Sequence, residues 1–291
     1  MPIGFNLGGG RGGQRGGGKM RFIIAGVLVM VALVGYFSKE KVTNPHTGES
    51  YRRAMNVDQQ KALGLQAVKE MIPQMGGAED PKTSDAAALV DEVGRKLLAT
   101  SDAGKSDFAN NFNFFLIADT KTINAFALPG GQVSITRGLF DRLEDESQLA
   151  GVLGHEIGHV IAEHSAQQMA KGQLGQALAM AVGVASDSNQ GAIAAQMANQ
   201  MLQLKYGRDD ETQSDEVGLK FMVQAGYDPA GMMGVMKILG EASKGSKQPE
   251  FLSSHPYPED RVRTIEAYIE KNKDELASKN LTKGRKLPGA K

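Results

Sequence analysis

Two histidines and a glutamate lie close together in the stretch His155-Glu156-Ile157-Gly158-His159. Residues four apart share one face of an α-helix, so His155 and His159 can hold one zinc ion. Glu156 lies between them and can reach a water bound to that metal. Zinc lowers the pKa of such a water, and a carboxylate that takes its proton creates a nucleophile for an amide carbonyl. The motif predicts metal-assisted hydrolysis of peptide bonds; the alternative is a helix with two surface histidines.

The motif lies in a segment with the pattern of a buried helix. Asp145 can cap the helix, and Gln148 three residues later suggests a capping box. The apolar residues that follow are spaced by three and four: Leu149, Val152, Leu153, Ile157, Val160 and Ile161. Gly151, Gly154 and Gly158 recur near one stripe of this helix. They indicate either close approach by a substrate or tight packing of another helix.

A catalytic zinc usually has three protein ligands and one water, so a third ligand is needed. His164 lies nine residues after His155, and on a continuous helix at about 100° per residue it points away from the metal. Neither Gly nor Pro separates it from His159, so we expect no helix break and place His164 outside the ligand set.

Glu211 and Asp215 share a helical face, so Glu211 could bind zinc while Asp215 accepts a hydrogen bond from a ligand histidine. The alternative for this acidic run is a solvated helix start.

Four segments of the chain resemble the zinc metallopeptidases that include HtpX-type proteases, CAAX prenyl endopeptidases and mitochondrial Oma-type proteases (metallopeptidase family forty-eight). They occur in family order across residues 57–269, and the resemblance is strongest to small members with a single anchor or none. The segments are Asn124 to Gly131 with the following Val-Ser-Ile-Thr-Arg-Gly-Leu, the H-E-x-x-H motif continuing to His164, Arg208 with Glu211 and Asp215, and Ser254-His255-Pro256 with Arg261.

The resemblance implies a metal site with one zinc ion per chain. By that resemblance, zinc is bound by His155, His159 and Glu211. Glu156 is the general base, and Asp215 supports one of the ligands. The implied fold is α+β, mainly α: a zincin-type (gluzincin) metallopeptidase domain with a small β-sheet.

The same resemblance implies a substrate cleft and a late segment that approaches the metal. The cleft would be lined by Asn124, Ala125, Phe126, Leu128, Pro129, Gly130 and Gly131, where a peptide adds as an extra strand. His255 and Arg261 would be catalytic, and either could donate to the oxyanion. In some relatives this region instead covers the metal and restrains activity. Without the resemblance, His255-Pro256 could be a plain turn.

The N-terminal part of the chain differs from the rest. Residues 1–21 are rich in Gly and Arg and are predicted to be a disordered tail. Residues 22–37 are apolar and uncharged, and we predict one transmembrane helix there, short for a span of about 17–25 residues. A cleaved signal peptide is the alternative, but no good cleavage site follows. Four basic residues and no acid precede the run, which favours a single-pass protein with the peptidase on the extracytoplasmic (periplasmic) side.

The remaining chain is long enough for one peptidase domain at 56–270, after a linker at 38–55 and before a helix end and frayed tail at 271–291. Periodicity and composition predict helices at 57–75, 84–100, 173–185, 192–205, 229–243 and 259–277, and strands at 111–118 and 132–136.

Charge and cysteine content narrow the partners. The chain has 33 basic and 33 acidic residues, so nucleic acid is not an expected partner, and with no cysteine it has no thiolate zinc site. The motif, the apolar run and the resemblance together predict a membrane-anchored zinc endopeptidase. The resemblance alone implies that its substrates are misfolded or damaged envelope proteins. The alternative is a low-turnover, chaperone-like protein that binds polypeptides in the same groove. The sequence predicts no oligomeric state.

Overall fold

The computed structural model describes residues 17–53, 55–172, 206–244, 248–256 and 258–288. The chain divides into two compact units, one of residues 1–38 with 171–202 and one of residues 39–170 with 203–291. Most of the tail predicted at 1–21 and the helices predicted at 173–185 and 192–205 lie outside the described residues.

The first unit contains helix α1, Gly17–Phe37, which coincides with the predicted anchor. Among the residues described, no helix has both the length and the apolar character required to cross a membrane. A helix is therefore present at 22–37, but a transmembrane anchor is not shown. Its large apolar side chains are exposed: Phe22, Ile23, Ile24, Val27, Met30, Val31, Val34 and Phe37.

The second unit is mainly helical with two small sheets. In chain order its described elements are β1 Lys41–Thr43, β2 Ser50–Arg52, α2 Val57–Gln74, α3 Asp85–Thr100, β3 Asn113–Ile117, β4 Ala125–Leu128, β5 Gln132–Thr136, α4 Arg137–Phe140, α5 Glu146–Ile161, α6 Arg208–Gln224, α7 Ala230–Ala242, α8 Phe251–Ser254, α9 Pro258–Lys271 and α10 Lys273–Ala277. Short 3₁₀ turns at Asp102–Lys105 and Ala109–Asn111 join α3 to β3. This is the predicted mainly helical α+β architecture.

The larger sheet has the order β3-β5-β4. Strand β5 is buried along its whole length and pairs parallel with β3 and antiparallel with β4. The strands predicted at 111–118 and 132–136 are confirmed as β3 and β5. Strand β4, inside the predicted cleft segment, was not predicted as a strand because its four residues, Ala-Phe-Ala-Leu, are all apolar and show no alternation.

Helix α5, which carries the H-E-x-x-H motif, is buried on every side. It packs against α3, α6, α7 and strand β4, so it is the central helix of this unit. Asp145 caps its start by accepting a hydrogen bond from the Gln148 amide at 3.1 Å. The predicted capping box is only half formed, because the Gln148 side chain accepts from the Glu144 amide instead.

The glycines of α5 allow α6 to pack closely against it. A Cβ at Gly158 would lie 3.0 Å from the Ser214 carbonyl oxygen, and one at Gly218 would lie 2.9 Å from the Gly154 carbonyl carbon. Of the two interpretations of the glycine stripe, the structure supports helix packing. This packing brings the acidic start of α6 beside the motif.

The segment at 38–55, predicted to be a linker, contains the antiparallel hairpin β1–β2. Asn44 at its turn is buried, and its side-chain amide donates to the carbonyl of Ile161 at 2.6 Å. That carbonyl is at the C-terminal end of α5, where helix carbonyls have no partner within the helix. The hairpin is therefore part of the folded unit.

The C-terminal residues are also ordered, contrary to the predicted frayed tail. The helix predicted at 259–277 is divided into α9 and α10, and the chain then returns to the start of α5. The amide of Ser147 donates to the carbonyl of Lys283 at 2.9 Å, and the amide of Glu146 donates to that of Arg285 at 3.0 Å. Leu287 is buried, so the end of the chain contributes to the core.

Candidate metal centre

Three elements bring four potential ligands together. Helix α5 supplies His155 and His159, α6 supplies Glu211, and the residue that ends α8 is His255. All four side chains are buried, and one ligand atom of each lies within 4.8 Å of the others. The structure thus combines the predicted ligands His155, His159 and Glu211 with a fourth residue, His255.

The spacing of these atoms fits a tetrahedral ion. His155 Nε2 lies 3.0 Å from His159 Nε2, and His159 Nε2 lies 3.4 Å from Glu211 Oε1. His255 Nδ1 lies 3.2 Å from His155 Nε2 and 3.0 Å from Glu211 Oε1. Ligands at zinc–nitrogen and zinc–oxygen bond lengths around a tetrahedron are separated by roughly 3.3 Å. The donor set of imidazoles and one carboxylate therefore suits zinc in both chemistry and size.

Glu156 lies beside this cluster and is fully buried. Among the described residues neither of its carboxylate oxygens has a hydrogen-bond partner, and His255 Nε2 lies 3.6 Å from Oε1. A buried carboxylate without partners is energetically costly, so its presence indicates a site where another polar group belongs. Glu211 Oε2 is also without a hydrogen bond in the described part of the chain.

Burial and charge set the protonation of these groups. Burial lowers the pKa of His159 well below its usual value, which favours the neutral imidazole that binds metals. Burial acts to raise the pKa of Glu211, but His255 and His159 outweigh it, so this pKa is low and the group remains a carboxylate. Burial raises the pKa of Glu156, and the nearby histidines only partly oppose that rise.

Asp215, predicted to support a ligand, lies one turn after Glu211 on α6. Its Oδ1 lies 2.8 Å from His155 Nδ1, the ring nitrogen opposite the ligand atom. Such a carboxylate orients a metal-binding histidine. Burial acts to raise the pKa of Asp215, but the charge of Arg261 outweighs it and lowers this pKa.

Arg261 lies on α9 and is buried. Its Nε and Nη2 donate to the two oxygens of Asp215 at 2.8 and 2.7 Å, and its Nη1 lies 3.3 Å from Glu211 Oε2. The prediction made Arg261 a candidate oxyanion donor. The guanidinium holds Asp215 through Nε and Nη2, whereas Nη1 is buried without a hydrogen-bond partner among the described residues. These contacts support the carboxylates beside the histidines, and the oxyanion role of Arg261 stays a prediction.

His255 was likewise predicted as a candidate oxyanion donor, with covering of the metal as the alternative. Its ring lies in the ligand cluster and stacks on Phe251, with centroids 4.4 Å apart. This placement favours the alternative in which this segment covers the metal.

His164 is buried, and α5 ends before it. Glu163 has a positive φ of 56°, a left-handed conformation that costs about 1–2 kcal/mol for a residue with a side chain. The expectation of a continuous helix was therefore wrong, because tertiary contacts rather than Gly or Pro make the break. Its placement outside the ligand set agrees with the structure: its Nδ1 lies 2.8 Å from Nδ1 of His159, behind the ligand atom.

Tyr206 is a site residue that the sequence reasoning missed. Its ring stacks on His159 with centroids 4.0 Å apart, and its hydroxyl lies 2.9 Å from Ser165 Oγ. Its amide donates to the carbonyl of Ser254, next to His255. A single tyrosine far from the motif in sequence gave no signal, because only the fold brings it to the histidines.

The predicted cleft residues form β4 and the turn after it. Helix α5 packs against β4, which places the strand beside the motif helix. Phe126 and Leu128 are partly exposed, whereas Asn124 is buried with an Oδ1 that has no hydrogen-bond partner among the described residues. Gly130 and Gly131 have φ values of 79° and 107°, so the tight turn to β5 explains both glycines.

Comparison with known proteins agrees with this geometry. Residues 85–269 match the sequence model of Peptidase family M48. The matched region contains α5, α6 and His255, and hence the whole ligand cluster. The chain therefore belongs to Peptidase family M48, and the predicted class, a metalloprotease, is confirmed.

Three relatives illustrate the range of the family. The chain is 31% identical over 75% of its length to the putative beta-barrel assembly-enhancing protease of Vibrio cholerae, and 30% identical over 78% to the beta-barrel assembly-enhancing protease of Escherichia coli. It is 29% identical over 84% of its length to the mitochondrial metalloendopeptidase OMA1 of Schizosaccharomyces pombe. The matched region is 46% and 47% of the two bacterial relatives and 71% of the fungal one, so the chain spans about half the length of the bacterial proteins.

Proposed function

We propose that this protein is a zinc-dependent endopeptidase with His155, His159 and Glu211 as metal ligands and Glu156 as general base. The observation that carries the proposal is a buried cluster of ligand atoms at tetrahedral spacing beside a buried carboxylate whose oxygens have no hydrogen-bond partner among the described residues. A cluster of this kind is costly to bury unless it binds an ion and a reactant.

The residues of the chain divide the chemistry between them. A zinc ion held by His155, His159 and Glu211, with a water in place of His255 as the fourth ligand, would lower the pKa of that water and polarise the scissile carbonyl. Glu156 accepts a proton from the attacking water and returns it to the leaving amine, and its burial-raised pKa suits a group that must both accept and donate. Asp215 orients His155 through Nδ1, and Arg261 balances the charge of Asp215 and contacts the ligand carboxylate of Glu211.

The substrate is a polypeptide in extended conformation that pairs with β4. In the described structure β4 is an edge strand that pairs only with β5, so its other edge is available for backbone hydrogen bonds. Main-chain pairing recognises any extended peptide, which suits a protease that acts on unfolded proteins.

The test combines metal analysis with proteolysis. We expect the wild type to contain one zinc per chain and to cleave casein in a chelator-sensitive reaction. Glu156→Gln should keep zinc and lose about 10²–10⁴-fold in rate, because the amide cannot accept the proton. Glu211→Ala should lose zinc.

Two outcomes would contradict the proposal: casein cleavage by Glu156→Gln at the wild-type rate, or full zinc content in Glu211→Ala. A wild type that binds unfolded casein and zinc but does not cleave would instead favour the chaperone-like alternative.

We further propose that α1 anchors the protein in a membrane and that its substrates are misfolded or damaged envelope proteins. Support comes from the uncharged run at 22–37, from its exposed apolar side chains and from the basic residues before it. The two bacterial relatives are named as beta-barrel assembly-enhancing proteases, which is consistent with an envelope substrate.

The anchor is testable by fractionation. The full chain should remain with membranes after an alkaline carbonate wash, whereas a variant without residues 1–38 should be released. A protease added to intact spheroplasts should digest the peptidase unit if that unit is periplasmic. Release of the full chain by carbonate would exclude an integral anchor, and protection from the protease would place the unit on the cytoplasmic side.

A further inference from the structure

We propose that His164 is a positioning residue that holds His159 in the ring orientation and tautomer required for metal binding. This inference rests on the proposed function, since it requires His159 to bind zinc. The Nδ1 atom of His164 contacts His159 Nδ1 at 2.8 Å and the Ser214 hydroxyl at a longer 3.4 Å, and its Nε2 contacts Gln213.

If His159 Nε2 binds a metal, only one placement of the ring protons of His159 and His164 satisfies these contacts. His159 Nε2 is on the ligand side, 3.0 Å from His155 Nε2, and must be unprotonated to bind a metal. A neutral His159 then carries its proton on Nδ1 and donates to His164 Nδ1, 2.8 Å away. A neutral His164 in turn carries its proton on Nε2, which lies 2.9 Å from Gln213 Oε1. Each of these hydrogen bonds has one proton, and the series ends on the amide oxygen of Gln213, which can only accept.

The local backbone is arranged to make this contact. Glu163 has the positive φ that turns the chain away from the axis of α5. The guanidinium of Arg53 holds its carboxylate, with Nε donating to Oε2 at 2.9 Å. The side-chain amide of Gln60 donates to the same oxygen at 2.6 Å. These contacts from another part of the chain stabilise the turn that directs His164 back toward His159.

The two motif histidines are therefore oriented by different hydrogen-bond acceptors. His155 donates to the carboxylate of Asp215, whose charge is compensated by Arg261. His159 has a neutral imidazole as its acceptor, linked to α6 two residues after Glu211. Helix α6 thus supplies one metal ligand and, through Asp215 and Gln213, sets the orientation of the other two.

Two substitutions separate an acceptor role from simple packing. His164→Leu fills similar space but cannot accept a hydrogen bond, whereas His164→Asn carries an oxygen on Cγ, where Nδ1 is attached. In a chelator-competition titration of the full-length protein with zinc, His164→Leu should bind about 10–100-fold more weakly, and His164→Asn should remain within roughly threefold of wild type. His46→Leu makes the same substitution at a partly exposed histidine of the β1–β2 hairpin that is not in the ligand cluster, so it is the matched control and should bind zinc as the wild type does.

A spectroscopic measurement on the wild type tests the tautomers directly and does not depend on a variant that folds. In the zinc-loaded protein with ¹⁵N-labelled histidine, we expect His159 to be protonated at Nδ1 and His164 at Nε2. Protonation of His164 at Nδ1 would overturn the inference, and so would wild-type zinc affinity in His164→Leu or equal weakening in both His164 variants. Failure of the proposed function would look different: His159→Ala would then bind zinc as the wild type does.

Discussion

Arg261 neutralises two buried carboxylates, one of which is a proposed metal ligand. It donates two hydrogen bonds to Asp215 and lies 3.3 Å from Glu211 Oε2. The fixed fork of the guanidinium allows this paired contact, which a lysine could not reproduce. Removal of the arginine would leave uncompensated negative charge inside the core, where that charge is most costly.

We predict that Arg261→Ala lowers the free energy of unfolding by about 3–5 kcal/mol, because it leaves Asp215 and Glu211 buried without their cation. Arg263→Ala is the matched control, because this arginine is on the same helix with 77% of its side chain exposed and only a 3.8 Å ion pair to Asp260. It should change stability by less than about 0.5 kcal/mol. Urea denaturation of both zinc-free variants measures the difference, and equal stabilities would refute the compensating role of Arg261.

At the residue scale, only part of the site was predictable. His155, Glu156 and His159 are close in sequence, so helical geometry alone brings them together. The four-residue spacing of Glu211 and Asp215 indicates two carboxylates on one helical face, one as a ligand and one as its support. Tyr206 and the ligand position of His255 had no such signal, because each depends on how separate elements pack.

At the scale of elements, the contact between α5 and α6 determines whether the ligand set forms. Gly154 and Gly158 on α5 face Gly218 and Ser214 on α6, where an added Cβ would lie only 3.2 and 3.0 Å from the backbone of the other helix. This close approach brings Glu211 to the two histidines. The glycine spacing was visible in the sequence, but its partner helix was not.

We predict that Gly218→Ala lowers stability by roughly 1–3 kcal/mol and weakens zinc binding, since its Cβ would lie 2.9 Å from the backbone of Gly154 and must separate the helices. Gly240→Ala is the control: it lies within α7 with no atom within 4 Å of its Cβ position. Its effect should be neutral or stabilising by up to about 1 kcal/mol. Thermal melts and zinc titration measure both effects, and wild-type zinc affinity in Gly218→Ala would show that the helix distance is not critical.

At the scale of the whole peptidase unit, both ends of α5 are held by segments distant in sequence. Asn44 of the β1–β2 hairpin donates to the carbonyl of Ile161 at the C-terminal end. At the N-terminal end, the amides of Glu146 and Ser147 donate to the C-terminal segment, and Arg285 forms ion pairs with Glu146 and Glu92. The family match ends at residue 269, but the chain continues to stabilise the motif helix up to residue 287.

We predict that truncation after Leu281 lowers the free energy of unfolding by on the order of 3–6 kcal/mol, because it removes backbone hydrogen bonds to α5 and the buried Leu287. Truncation after Pro288 keeps those contacts and serves as the control. Denaturant unfolding should distinguish the two proteins clearly. If the shorter protein were as stable as the longer one, the C-terminal segment would have no role in holding α5.

Patterns among neighbouring residues are enough to predict the metal-binding motif and the type of the main elements. The H-E-x-x-H spacing, the acidic pair at Glu211 and Asp215 and the helical periodicity are local patterns, and local geometry depends on neighbouring residues alone. Together with the strand patterns at 111–118 and 132–136, they predict most helices and two of the three strands of the larger sheet. The family resemblance adds the metallopeptidase class and the mainly helical fold.

Contacts between distant elements determine which residues join the metal site and where α5 ends. His255 enters the ligand cluster, Arg261 binds Asp215 and Glu211, and Glu163 adopts a left-handed turn that directs His164 to His159. These outcomes depend on contacts between elements tens of residues apart. Such contacts can stabilise a conformation that the local sequence disfavours, and for that reason no local pattern predicted them.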